Sequence, residues 1–342
     1  MSTQTQKEIL ETPEKVQNFL EAHGGQTFNL GRELADMNPS LIMTNARGSS
    51  DNAATFFKYL CEIRCGVPVA SMGPSLASIY HAPLKTRDCG FISISQSGRS
   101  PDLIAAQQRA NAAGLATLAI VNTERSPLAL QARQAIPLLA GEETGIAATK
   151  SFVSTLVALS CLVAGMSNDR AFLQALHSLP SILEKASQQD WVEAQQTFAT
   201  STSAYVVGRG LMLSIAQESA LKIKELTGIH AEAFSMAEVM HGPVRVAHEN
   251  FPILAFIPND TSLATNVGAI KRLAAKSRSV FVVGEKLDDT VTLPAPPNIT
   301  DHPVIAAIAA IQTFYIFAEK LTRLMGFEPD RPPGLSKITS TV

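Results

Sequence analysis

Cys89-Gly90-Phe91-Ile92-Ser93-Ile94-Ser95 runs without a break into Gln96-Ser97-Gly98-Arg99-Ser100-Pro101. The first seven residues read as an alternating apolar β-strand. The next five crowd hydroxyls, an amide and a glycine together, and Pro101 suits the first turn of a following helix. Backbone N–H groups at a helix start attract anions, and a glycine lets a ligand approach the chain closely. Capping needs one hydroxyl, so three serines and a glutamine within six residues exceed it. Ligands of open parallel sheets sit at the carboxyl ends of the strands, which is where this turn falls. The stretch therefore predicts a strand–turn–helix unit with a phosphate cradle at Ser95, Gln96, Ser97 and Ser100.

Working outward, short apolar runs alternate with helical patterns. Strands are predicted at 41–46, 68–71, 89–95, 116–121 and 136–138, and helices at 50–65, 102–113 and 149–164. The rhythm restarts with strands at 203–207, 252–257 and 279–283 and helices at 211–226, 262–275 and 304–325. Residues 1–35 read as helical, with Pro13 in a first turn and Val16, Phe19 and Leu20 on one stripe. Residues 166–200, which hold the only tryptophan, Trp191, read as a helical connector. The predicted organisation is a helical segment (1–35), a phosphate-binding domain (36–166), a connector (167–200), a second domain carrying a charged helix and a histidine loop (201–328), and a tail closing the active site (329–342). Strand and helix in alternation predict an α/β fold of two doubly wound parallel sheets in tandem, each covered on both faces.

The two halves share a pattern. An offset of 162 residues carries Arg47-Gly48 onto Arg209-Gly210 and residues 91–95 onto 253–257. The serine turn of the first half falls on Pro258-Asn259-Asp260 in the second. The expectation is that only the first half kept the anion loop.

Composition narrows the function classes. The chain has 342 residues, 46% hydrophobic and 17% charged, with net charge −2. That excludes disordered, collagen-like and highly charged coiled-coil chains, and it gives no general pull toward nucleic acid or anionic lipid. Cys61 and Cys65 are a C-x3-C pair with no matching Cys/His pair, so no zinc site is expected. No residue cluster suggests a metal or an organic cofactor. Reduced thiols and a polar N-terminus without signal-peptide character point to the cytoplasm. The apolar stretch 152–165 is shorter than a membrane span and reads as a buried helix.

Four further stretches carry chemistry. Ala46-Arg47-Gly48-Ser49-Ser50 repeats the strand–glycine–hydroxyl–helix order, with Ser50 as N-cap, and supplies a second wall of the phosphate site. Glu218, Lys222 and Glu225 share one helix face. That spacing alone suits a solvated salt-bridge face, but the apolar neighbours Ala216, Ala220, Leu221, Ile223 and Leu226 leave little of the helix exposed, which favours a cleft. Met240-His241-Gly242-Pro243 sets a histidine at a chain reversal, where the ring can be presented rather than packed. The tail Arg331-Pro332-Pro333-Gly334-Leu335-Ser336-Lys337 reads as an extended segment that turns Lys337 inward.

Together these stretches resemble the sugar isomerase (SIS) domain family, and within it the isomerase half of glutamine–fructose-6-phosphate aminotransferase and related stand-alone deaminases. The likeness runs from Lys7-Glu8-Ile9 to the Lys337 tail. It includes the serine turn, the run from Gly145 to Phe152, the run from Lys222 to Phe234, His241-Gly242-Pro243 and Leu335-Ser336-Lys337. The resemblance implies that Ser50, Ser95, Gln96, Ser97 and Ser100 hold a sugar phosphate, with Gly48 and Ser49 beside them, and that Ile146 contacts the sugar through its backbone. It implies that Glu225 moves a proton between C1 and C2, Lys222 assists at C2, and Lys337 forms a Schiff base with the open-chain ketose. It implies that His241 opens the ring, supplied by the partner in a homodimer. Two positions depart from the family pattern: Ala148 stands for a serine and Ser336 for an alanine.

Only six residues precede Lys7, and no cysteine precedes Cys61, so the chain is not expected to draw ammonia from glutamine. The expected activity is an isomerising deaminase that converts glucosamine 6-phosphate to fructose 6-phosphate and ammonia. The alternatives are an ammonia-using synthase, a galactosamine-6-phosphate deaminase or ketose/aldose isomerase, and a deglycase of phosphorylated Amadori sugars. A non-enzymatic sugar-phosphate sensor is the alternative from another class. It would need the serine turn but not Glu225, His241 and Lys337.

Overall fold

A computed structural model describes residues 2–84, 86–295 and 302–337. They contain two five-stranded sheets. The first is built from β1 (Leu41–Asn45), β2 (Val69–Ser71), β3 (Cys89–Ser95), β4 (Ala116–Val121) and β5 (Gln134–Pro137), in the order β2-β1-β3-β4-β5. The second is built from β6 (Ser203–Gly208), β7 (His230–Ser235), β8 (Ile253–Ile257), β9 (Val280–Gly284) and β10 (Val291–Leu293), in the order β7-β6-β8-β9-β10. Every neighbouring pair is parallel. The fold is therefore α/β with two doubly wound sheets of the same strand order, as the alternating pattern predicts.

The chain divides into two compact units. The first holds Glu14–Glu143, Lys150–Ser178 and the described residues from Ser336. The second holds the described residues up to Pro13, Thr144–Thr149 and Leu179–Leu335. Each is described by itself.

The central strands read correctly because they are apolar throughout: β3 is buried from Gly90 onward, and β8 along its whole length. Two strands have no counterpart in the sequence reading. β7, His-Ala-Glu-Ala-Phe-Ser, and the three-residue β10 lie at the two edges of the second sheet. An edge strand is covered on fewer sides, so it need not carry a continuous apolar run.

In the first unit the helices Gly25–Asp36 and Lys150–Met166 pack through small residues. A Cβ on Gly31 would run into the carbonyl of Leu162, and one on Gly165 into the carbonyl of Phe28. The backbones approach that closely only because both positions are glycine.

In the second unit Pro13 lies inside the helix Gln4–Phe19 rather than in a first turn. A proline there leaves the carbonyl four residues back without its helical donor. That carbonyl belongs to Ile9, and Gln312 Nε2 supplies the missing bond at 2.8 Å. The segment read as a connector is helical at 170–176, 179–186 and 192–199, and its Trp191 belongs to the core of this unit. Trp191 is fully buried, packs at tilted angles against Phe256, Phe314 and Phe317, and donates from Nε1 to Pro294 O at 2.9 Å. One helix among the described residues, Pro303–Leu324, is long and apolar enough to cross a membrane; 94% of its most apolar window is buried inside the structure. It is longer than the apolar stretch 152–165.

Candidate active site

In the first unit, strands β1 and β3 pair directly, with Asn45 opposite Ser93, so the turns that follow them leave the same edge of the sheet. The chain crosses over in opposite directions from these two strands, which makes the crevice between them the switch point where doubly wound sheets bind ligands. The serine turn builds itself around its own backbone. Ser95 Oγ accepts from Gly98 N at 3.1 Å and Ser97 Oγ from Arg99 N at 3.4 Å. A hydroxyl that accepts in this way keeps its own proton to donate. Ser100 is the N-cap of the helix Pro101–Ala112, yet its side chain makes no capping bond. Gly98 has φ +61°, and a Cβ there would collide with the Ser126 side chain, so no other residue fits.

The neighbouring turn differs from the sequence reading at its cap. The N-cap of the helix Ser49–Cys65 is Gly48, at φ 55° and ψ −130°, and Ser49 and Ser50 lie in the first turn. Two residues that the sequence reading passed over tie the two turns together. Asp102, with no solvent exposure, forms an ion pair with Arg47, and Asn45 Nδ2 donates to Ser93 Oγ and Leu103 O, both at 3.0 Å. A buried carboxylate without a partner costs several kcal/mol, on the order of 3–5 when its pair is broken, so Asp102 holds Arg47 in place. Asp51 sits one residue beyond Ser50. Burial pushes its carboxyl above the usual range, against the lowering effects of the Ser71 hydrogen bond and the Arg47 charge.

The tail lysine also belongs to the first unit. Lys337 Nζ lies 3.5 Å from Glu143 Oε2. Glu143 is buried and is itself held by Ser151, whose N–H donates at 3.2 Å and whose hydroxyl donates at 2.5 Å.

The charged helix of the second unit, Leu211–Thr227, is not a solvated face. Glu218 and Lys222 are buried, and Lys222 stands between two carboxylates: Glu225, on which its ammonium closes directly, and Glu218 at 3.6 Å. Tyr315 Oη donates to Glu218 at 3.2 Å. The side chain of Glu225 is 26% exposed and that of Glu218 0%, so Glu225 is the carboxylate of the pair that can meet a solute. Ile146 lies in the segment Thr144–Thr149. The start of that segment is held by Glu8, a fully buried carboxylate that accepts from Thr144 N at 2.6 Å and Gly145 N at 3.2 Å.

His241 is exposed at the end of the single-turn helix Glu238–His241, before Gly242 at φ 142°. Tyr205 Oη pins this loop by donating to Pro243 O at 2.8 Å. Burial, with the nearby Glu232 charge, pushes the Tyr205 phenol up, which keeps it a donor.

The structure thus brings the two serine turns together, sets Lys222 against Glu225 and turns His241 outward. The sequence pattern singles out Glu218 but gives no role to Asp102, Glu143 or Glu8, because an acid's role depends on the side chain that it meets. Among the described residues no group of three or more His, Cys, Asp or Glu is placed to hold a metal ion.

Two doubly wound sheets, one with a hydroxyl-rich turn at its switch point and the other accompanied by a buried acid–lysine helix, define a tandem α/β protein. The SIS domain model matches residues 38–165 and 197–309, and the chain belongs to the SIS domain family. It is 29% identical over 338 residues to the glutamine–fructose-6-phosphate aminotransferase (isomerizing) of Aquifex aeolicus, covering 97% of this chain and 56% of that protein. The chain thus spans little more than half the length of that curated relative. Among solved structures it is similar to a candidate phosphosugar isomerase from Silicibacter pomeroyi (35% identity, TM-score 0.89, covering 96% of this chain and 100% of that one). It is also similar to the C-terminal domain of the glucosamine-fructose-6-phosphate aminotransferase of Francisella tularensis (27% identity, TM-score 0.85, covering 97% and 99%).

Proposed function

We propose that the chain is an enzyme that moves a proton between C1 and C2 of a hexose phosphate, and that its reaction is the isomerising deamination of glucosamine 6-phosphate. The observation that carries this reading is the charged helix: a buried lysine between two carboxylates, of which Glu225 alone reaches solvent. The similarity to isomerase and aminotransferase proteins supports the substrate class.

In this mechanism Ser50, Ser95, Gln96, Ser97 and Ser100, with Gly48 and Ser49, grip the phosphate. That remote binding energy holds the reacting carbons in place. His241, supplied by the partner in a homodimer, opens the ring. Glu225 removes the proton from C2 of the open-chain aminosugar and returns it at C1, while Lys222 stabilises the charge that develops on the enolamine. The product carries an imine at C2. The amine of Lys337 exchanges into that imine and releases ammonia, and water then frees fructose 6-phosphate. The sum is glucosamine 6-phosphate plus water giving fructose 6-phosphate plus ammonia. Four unpaired cysteines suit the cytoplasmic setting assigned to this chemistry.

The test is ammonia release from glucosamine 6-phosphate, galactosamine 6-phosphate and fructoselysine 6-phosphate side by side, with fructose 6-phosphate assayed as product. Ammonia and fructose 6-phosphate from the first sugar in equal amounts support the reading. Isomerisation without ammonia, or turnover of fructoselysine 6-phosphate alone, replaces it.

A further inference from the structure

The turn after β6 has the same build as the turn after β1 but a different charge balance. Gly210 has φ 60° and ψ −129°, against φ 55° and ψ −130° at Gly48, and each glycine caps a helix of 17 residues. The helix after the third strand of each sheet keeps the same offset: Pro101–Ala112 in one and Leu263–Ala274 in the other. An arginine precedes each glycine. In the first unit Arg47 is neutralised by Asp102. The residue at the position of Asp102 in the second unit is Ala264. Arg209 there has no carboxylate partner among the described residues. It reaches only a neutral hydroxyl, Thr265 Oγ1, at 3.3 Å.

This uncompensated guanidinium lines an open cleft of about 660 Å³ within the second unit. Arg272 lines the same cleft two helical turns beyond Thr265, His241 forms part of its wall, and Met236 and Met240 contribute an apolar surface. No aspartate or glutamate lines it among the described residues. Two guanidinium groups with no carboxylate partner among the described residues, beside a hydroxyl and against an apolar wall, suit a small ligand with one dianionic end. Guanidinium pairs phosphate with two parallel hydrogen bonds, and the cleft is of ligand size.

We propose that this cleft is a second anion site, for a small phosphate ester, made by arginines where the first sheet uses serines. It revises the expectation that the second half lost its anion site together with its serine turn. The alignment of the halves replaces the serines at 49, 50, 95 and 97 and the acids at 51 and 102, and it brings in Asp260, whose Oδ1 accepts from the Ser262 N–H and hydroxyl and which does not line the cleft. The loss of the acid at 102 leaves a cation available. The site does not depend on the chemistry proposed above, since a non-enzymatic sugar-phosphate sensor would carry it equally.

The test is calorimetric titration of the full chain with fructose 6-phosphate, inorganic phosphate and unphosphorylated fructose, in a Ser97→Ala background that disables the serine turn. Fructose 6-phosphate should still bind, more tightly than inorganic phosphate, and fructose should not. Adding Arg209→Gln or Arg272→Gln should weaken that binding by at least about tenfold, the scale of one charge-assisted bond. Tungstate soaked into crystals of the unaltered protein, located by its anomalous signal, should lie between Arg209 and Arg272, a readout that does not depend on any variant folding. The proposal is overturned if the Ser97→Ala chain binds no fructose 6-phosphate, if either arginine variant binds it unchanged, or if inorganic phosphate binds as well as the ester. It is also overturned if the crystal shows the cleft filled by side chains of a neighbouring copy. Failure of the serine-turn assignment would register differently, as unchanged binding between the unaltered and Ser97→Ala proteins.

Discussion

At the scale of single residues, solvent exposure separates carboxylates that look alike in sequence. Glu218 and Glu225 flank Lys222 at four and three residues on one helix, and either would serve as a base by its chemistry alone. Burial removes Glu218 from that role and leaves it as the anchor of Lys222, with Tyr315 on its other side. Glu225→Gln keeps the shape and removes the proposed base. Turnover should fall roughly 10²–10⁴-fold while the KM for the sugar phosphate changes little. Steady-state kinetics of the purified variant decide the matter, and a kcat near that of the unaltered protein takes Glu225 out of the mechanism. The serine turn was legible at this scale because hydroxyls in excess of what a cap requires are a local signal. The ion pairs Arg47–Asp102 and Lys337–Glu143 were not, because each joins residues far apart in the chain.

At the scale of elements, helix packing and helix ends carry consequences that can be measured. Alanine is favoured over glycine within a helix by about 1 kcal/mol. Gly165→Ala should nevertheless destabilise the chain, by about 1–3 kcal/mol, because the new methyl has no room against the Phe28 carbonyl. Urea denaturation reads the difference, and a stabilised variant would mean that the two helices part without cost. The start of the helix Gln4–Phe19 is held from a distance. Asp330 accepts from Gln4 N at 2.8 Å, Thr5 N at 2.7 Å and the Thr5 hydroxyl at 2.8 Å. Burial works against the charge of Asp330, but the bonds from Thr5 and Gln4, with the Lys7 charge, hold its carboxyl below the ordinary value of 3.8. A group depressed in the folded state contributes stability that is complete above its unfolded value. That contribution is lost as the pH falls through the folded one. Asp330→Asn should therefore lower Tm at neutral pH and converge with the unaltered protein below the ordinary carboxylate range. A constant gap across that range would show that the charge of Asp330 is not what holds the helix.

At the scale of the whole molecule, the histidine loop decides what assembly the chemistry needs. His241 is exposed and carried on a loop pinned by Tyr205. If the ring serves the partner of a homodimer, two inactive proteins should complement each other. His241→Ala mixed with Glu225→Gln, after subunit exchange, should regain part of the activity that neither has alone, because one of the two hybrid sites is then intact. An ammonia-release assay on the mixture reads this, and no recovery after verified exchange places His241 and Glu225 in the same subunit's site.

Local pattern in the amino-acid chain determined the α/β class, the central strands, the serine turn and the faces of the long helices, because each follows from the order and spacing of neighbouring residues. The edge strands β7 and β10, the place of Trp191 in a core, and the tolerance of Pro13 inside a helix were decided by tertiary structure. So were the burial of Glu218 beside a partly exposed Glu225 and the lack of a carboxylate partner for Arg209 among the described residues. The physical reason is the same for all of them. Burial, a hydrogen bond supplied from three hundred residues away, or a missing counter-ion is a property of what a residue meets across space.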